Sequence, residues 1–171
     1  MPNEIHHTIQ LLPMRAAHDQ ITDVITAATR SVHALIYMST YPKSENIGPA
    51  DKIQHALVNA ANRGLDVRAI FSNHERASSL DRDNRALAAR LAAAGAHVRF
   101  TAPNTLQHAK LIIVDEFIVF QMSSNLTSAA FTKNIELNTV AIGPTFAHQC
   151  ADRFRTIWRD HCGQNLQATP A

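Results

Sequence analysis

Cysteine is scarce in this sequence, with Cys150 and Cys162 the only two among 171 residues. That count excludes a disulfide framework, and without a Cys-x-x-Cys it offers no zinc arrangement. Charge is sparse as well: 18% of residues are charged, the net is +2 and the pI is near 8.7. Such a balance tolerates a polyanionic partner without identifying one. Long hydrophobic runs are missing, since runs such as Leu111 to Val114 and Phe117 to Phe120 are strand-length and far too short to span a bilayer. The opening MPNEIHHTIQLLPMR lacks the cationic start and apolar stretch of a secretory signal. The expected location is cytoplasmic, where both thiols stay reduced.

What is abundant is apolar residues, 46% of the chain, enough to bury a core and far from the composition of disorder. The length suits a single domain over residues 1–171. Ten histidines is a high count. His6, His7, His18, His33, His55, His74, His97, His148 and His161 are nevertheless scattered rather than set at ligand spacing, so neither a metal nor another cofactor is expected.

Short β-rich runs alternate with helical ones. The pattern predicts strands at 6–12, 32–38, 65–71 and 97–101, with helices at 14–30, from about Ile53 to Gly64, and at 83–94. KLIIVD and FIVFQM, separated by Glu116 alone, read as a tight β-hairpin. A helical turn near 127–132, a strand at 135–142 and a helix at 145–161 follow, the last with Phe146, Cys150, Phe154, Ile157 and Trp158 inward. No internal repeat is visible. The expected class is α/β, with a mixed, mostly parallel sheet flanked by helices on both faces.

At the hairpin's start stands His108-Ala109-Lys110, followed by Asp115, Ser123 and Asn125. Residues two apart on a strand share a face, which puts an imidazole and an ammonium in one small site. Neutral imidazole attacks phosphorus, and a fixed ammonium neutralises the non-bridging oxygens as charge builds. Ser123 and Asn125 add a hydroxyl and an amide donor for the same oxygens. A lysine opening the apolar run LIIV needs an anion. Glu136, between Ile135 and Leu137, needs a partner too, and His108 is the natural one. Asp115 is as well suited to a structural turn as to function. Lys43, Arg76, Arg82 and Lys133 fall in loops or turns, and the loops at 39–50 and 72–82 flank a groove if the site opens at the strands' C-terminal ends.

The stretch HAKLIIVDEFIVFQMSSN resembles the H-x-K-x4-D-x6-G-S-x-N signature of the phospholipase D superfamily, matched at His108, Lys110, Asp115, Ser123 and Asn125. NIELNTV is similar to the strand that supplies a histidine-orienting glutamate in small bacterial nucleases of that superfamily, which points to Glu136. The glycine of the pattern is Met122 here, a residue that would not take positive φ cheaply. The resemblance implies a two-step reaction, in which one histidine attacks to give a phosphohistidine while a second protonates the leaving group and then activates water. His74-Glu75-Arg76 with Asp81 has the spacing of a second motif but no lysine and no Ser-x-Asn, so it reads as a decoy. A homodimer sharing one composite site is therefore expected. The single-motif relatives imply a nuclease acting on DNA or RNA. A lipid phosphodiesterase and a weakly active nucleic-acid-binding member are the alternatives.

Overall fold

The computed structural model describes residues 8–13, 15–40, 47–73 and 78–166. Its elements run β1 (Thr8–Leu11), α1 (Ala17–Ala27), β2 (Ser31–Ile36), α2 (Pro49–Asn62), β3 (Asp66–Phe71), α3 (Ser79–Ala93), β4 (His97–Phe100), β5 (Leu111–Val114), β6 (Ile118–Met122), α4 (Ser128–Thr132), β7 (Asn138–Ile142) and α5 (Pro144–Asp160). All seven strands form one sheet in the order β1-β7-β6-β5-β2-β3-β4.

Both faces of that sheet are covered. Ile21, Ile53, Leu57, Leu87 and Phe131 of α1 to α4 pack with Val32, Val67, Ile112 and Phe120, while Ala147, Ala151 and Phe154 of α5 pack with Leu35, Ile70, Ile113 and Val119 on the other side. Neighbours such as Ile112 and Ile113 thus serve opposite cores, as a two-residue period demands. Burial on both faces is why the central strands read as unbroken apolar runs.

The sheet is mixed, as expected, but its pairings are mostly antiparallel rather than mostly parallel, because the hairpin and β7 place reversed strands between the others. Five strands point one way, with β5 and β7 reversed between them, so only the β2–β3 and β3–β4 pairings are parallel and the other four are antiparallel. Gly64 and Gly95 end α2 and α3 at φ of 80° and 96°, a left-handed conformation open to glycine at little cost.

Several element boundaries differ from the sequence reading: α1 runs Ala17–Ala27 rather than 14–30, β2 ends at Ile36 rather than 38, and α2 begins at Pro49 rather than about Ile53. Helix α3 begins at Ser79 rather than 83, because the Ser78 hydroxyl caps it by accepting from the Asp81 N–H at 3.0 Å. Strand β7 begins at Asn138 rather than 135. The Leu137 N–H is taken by the Ser123 hydroxyl at 2.8 Å instead of by a neighbouring strand, and Ile135 is 94% exposed.

The β5–β6 turn carries a clamp. Asp115 and Glu116 both take positive φ, 54° and 51°, as a primed hairpin turn requires. The Asp115 carboxylate accepts from the backbone N–H groups of Thr29, Arg30 and Ser31 at 2.8–2.9 Å and from the Thr29 hydroxyl at 3.0 Å. These bonds stop α1 short of residue 30 and tie the α1–β2 junction to the hairpin.

Burial works to raise the Asp115 pKa, but the N–H donors of Ser31, Thr29 and Arg30 and the Thr29 hydroxyl outweigh it and hold the carboxyl below the ordinary aspartate value. A depressed carboxyl stabilises the fold above the unfolded pKa of about 3.9, and that contribution fades as pH falls through the lower folded value. Asp115→Ala should cost about 1–3 kcal/mol at pH 7, toward the low end because solvent reaches the turn. Urea titrations at pH 7 and near pH 3 check this. A gap between wild type and variant that fails to narrow in acid would show that the carboxylate's charge is not what matters.

Candidate active site

The C-terminal ends of β2 and β6 and the N-terminal ends of β5 and β7 meet at one edge of the sheet, and the motif gathers there. Met122 N–H bonds to the Lys110 carbonyl at 3.0 Å, closing the open end of the hairpin. Lys110 Nζ lies 3.3 Å from His108 Nε2 and donates to the His108 carbonyl at 2.8 Å. With Nε2 facing an ammonium, its lone pair is the one directed into the site. Burial lowers the Lys110 pKa, with the Glu136 carboxylate pulling it back up. The ammonium is thus partly stripped of water and ready for an anion.

Sequence reasoning missed Tyr37. Its ring meets the His108 imidazole edge-on at 4.4 Å between centroids, and Lys110 Nζ sits 4.7 Å over its face. The signal was an aromatic directly after an apolar strand. Buried Asn84 of α3 fixes the segment after β2: its Oδ1 accepts from Ser39 N–H and hydroxyl at 2.8 and 2.9 Å, and its Nδ2 donates to the Tyr37 carbonyl at 3.0 Å. Leu126 N–H bonds to Met38 O and Thr40 N–H to Leu126 O, both at 3.0 Å, so Asn125 is held against the same segment. Asn125 Oδ1 is buried with no hydrogen-bond partner among the described residues.

Ser123 and Glu136 are brought together, but not in the expected pairing. The Ser123 hydroxyl donates to Glu136 Oε2, and Asn134 Nδ2 donates to Oε1 at 2.9 Å. Among the described residues the carboxylate makes no hydrogen bond to His108, and it reaches the site through Ser123 and through its field on Lys110. The apolar neighbours of Glu136 are exposed, Leu137 at 65% and Ile135 at 94%, so it is no carboxylate walled in by a buried strand.

Asp115 is not part of this cluster. It stands at the other end of β5, five residues or roughly 16 Å from Lys110, and its hydrogen bonds go to the α1–β2 junction. Met122 also departs from expectation. It is not among the residues with positive φ, and its side chain is buried in the core on the α1–α4 side at 8% exposure. No glycine is needed there.

Of the suggested flanking cations, Lys43 and Arg76 lie outside the described residues, as do His74 and Glu75 of the decoy. Arg82 belongs to α3, and Lys133 ends α4. Asp81, the decoy's aspartate, pairs with Arg85 at 2.8 Å.

The cluster opens on a cavity of about 670 Å³ between the strand ends and α5, lined among others by Gln107, His108, Lys110, Ser123, Cys150 and Arg153. Among the described residues none of its lining is a carboxylate. Burial raises the pKa of the Cys150 thiol, which keeps it protonated and unreactive. Among the described residues no group of three or more His, Cys, Asp or Glu comes together as a metal site, and no helix is long and apolar enough to cross a membrane.

Comparison with known proteins places this geometry. Residues 21–158 match the family described as cardiolipin synthase, PLD-like domain. Cardiolipin synthase A of Erwinia tasmaniensis is 28% identical over 139 residues, which are 80% of this chain and 28% of that protein. The chain therefore spans little more than a quarter of that relative's length. Among solved structures, Nuc from Salmonella typhimurium, a phospholipase D family member, superposes with a TM-score of 0.74 at 27% identity over 96% of this chain and 99% of its own. NucT from Helicobacter pylori shares the fold with a TM-score of 0.72 at 21% identity, covering 94% of this chain and 99% of NucT. With the family match over residues 21–158 and the Nuc-like fold, the chain belongs to the PLD-like domain family of the phospholipase D superfamily, whose members act on phosphodiester bonds.

Proposed function

We propose that the protein is a metal-independent nuclease that cuts nucleic-acid phosphodiester bonds through a phosphohistidine, in a site shared by two copies of the chain. The observation that carries this reading is the placement of Lys110 Nζ 3.3 Å from His108 Nε2 at the mouth of an open cavity with no lining carboxylate among the described residues. A nucleophile and a fixed cation stand close enough to act on one phosphate.

In the first step His108 Nε2 attacks phosphorus, the P–O bond to the leaving nucleoside breaks, and that oxygen takes a proton from the His108 of a second copy. In the second step the second copy's imidazole, now neutral, removes a proton from water, whose oxygen displaces Nε2 and frees the phosphate end. Lys110 and Asn125 hold the non-bridging oxygens throughout, and Glu136 steadies Ser123 and the Lys110 charge.

A second copy is supported by apolar surface beside the site. Ile9 and Leu11 of edge strand β1 are 68% and 66% exposed, and Leu137 is 65% exposed. Residues paired across an antiparallel ladder point to the same face. Ile9 pairs with Ala141, which packs under α5, and Leu11 pairs with Thr139, two residues beyond Leu137. The three form a strip that an exposed sheet edge does not ordinarily leave uncovered.

Exposed Leu106, Ile135 and Leu137 around the site, with the cardiolipin synthase likeness, favour a second reading, a lipid phosphodiesterase whose rim contacts an acyl surface. Labelled single-stranded DNA, double-stranded DNA, RNA and a phospholipid, each incubated with the protein in excess EDTA, decide between them. Cleavage of nucleic acid with less than about a twofold effect of EDTA is expected, because His108 and Lys110 fill the roles a metal would otherwise take. Activity lost to chelation and restored by magnesium would sink the mechanism, and cleavage of the phospholipid alone would establish the second reading.

A further inference from the structure

The cavity beside His108 extends past the reacting centre toward α5, where positions 150, 153 and 157 fall on one helical face and contribute Cys150, Arg153 and Ile157 to its wall. The wall here is apolar except for one guanidinium. The other two arginines in the second half of this helix are neutralised: Arg155 pairs with Glu116 and Asp152, both at 2.7 Å, and Arg159 with Asp160 at 2.6 Å. Arg153 has no ion pair and no hydrogen bond among the described residues, although Asp152 lies next to it in sequence. A planar fork of donors left open in a cavity with no carboxylate among its described lining residues is suited to an oxyanion. Gln107 lines the same cavity at 6% exposure, with neither amide atom hydrogen-bonded among the described residues, and so adds an unmet polar group to the same space. A volume of about 670 Å³ exceeds what one phosphate fills and lies in the range of a site for a nucleotide-sized group.

We propose that Arg153 holds a second phosphate of the substrate, the neighbour along the strand of the phosphate that His108 attacks, and so makes the site prefer a polynucleotide over an isolated diester. This rests on the nuclease reading. Arg153 is thereby a substrate-binding residue on α5, while His108 and Lys110 carry the reaction on the hairpin.

The test compares two substrates in wild type, Arg153→Ala and Arg153→Lys. One is a short single-stranded oligonucleotide, and the other is bis(p-nitrophenyl) phosphate, which has one phosphodiester and no neighbour. Arg153→Ala should raise KM for the oligonucleotide about tenfold with kcat changed less than about twofold. It should reduce the steepness of the salt dependence by about one phosphate contact and leave the small diester's kinetics unchanged. Arg153→Lys should recover part of the loss, because the charge returns without the fork. An unchanged oligonucleotide KM would overturn the inference, and so would an equal loss on both substrates, which would mean that α5 packing had been damaged. Wild type that cleaves the small diester but no oligonucleotide would refute the nuclease reading itself, a result visible before any variant is made.

Discussion

His108→Ala should fold as the wild type does and turn over substrate at least about 1,000-fold more slowly. The imidazole is exposed and its ring contact is with Tyr37, so stability should move by no more than about 0.5 kcal/mol. Retained cleavage in a clean preparation would remove His108 from the nucleophile's role. Mixing takes the test to the shared site. Unfolding equal amounts of wild-type and variant chains together and refolding them lets the copies assort at random. If both histidines build one site, mixed pairs are dead and wild-type activity falls to about half. Independent sites leave it unchanged, and a fully active monomer in sedimentation at assay concentration would refute the composite site.

Met122→Gly should chiefly destabilise the protein, although Met122 also lines the cavity beside the site. The side chain is 8% exposed and belongs to the larger core, where removing a methionine costs about 2–5 kcal/mol and a strand glycine adds roughly 0.5–1 kcal/mol. A loss of about 3 kcal/mol lowers Tm by about 10 °C in a domain of this size. Met122→Leu conserves volume and should cost less than about 1.5 kcal/mol. Thermal melts of the three proteins, with assays on compact and bulky substrates, check the expectation. A glycine variant that melts with the wild type and gains activity on bulky substrates would place the side chain in the substrate's path instead.

The cluster was legible because its residues are close in sequence. His108 and Lys110 are two apart, and the hairpin that brings Ser123 and Asn125 back to them is a local structure whose apolar runs and turn are written in eighteen consecutive residues. What the sequence hid depends on contacts across long separations. Tyr37 meets His108 only because β2 pairs with β5, and Asn84 acts on the site through the Tyr37 carbonyl, a link no periodicity reveals. Arg153 looks like any charge on a surface helix until α5 is laid over the sheet. The alternation of NIEL imitates a strand, yet the Ser123 hydroxyl takes the Leu137 N–H and the ladder starts one residue later. Met122 was misread because the motif's glycine suggested a backbone need, whereas the structure has an ordinary strand residue there.

The sheet order has a consequence for how the chain is assembled. Among the described strands β1 pairs with β7 alone, Thr8 opposite Ile142, so the first of these seven strands has no place to dock until the last of them has been made. Closing a loop of that span is slow relative to the local hairpin, and β1 is exposed at every residue, with little buried surface to hold it. It is accordingly the last of the seven to settle and the first to lift off in local opening. The strip bearing Ile9 and Leu11 is thus finished only after the rest of the sheet, which delays any pairing of two nascent copies until each has an intact edge to offer.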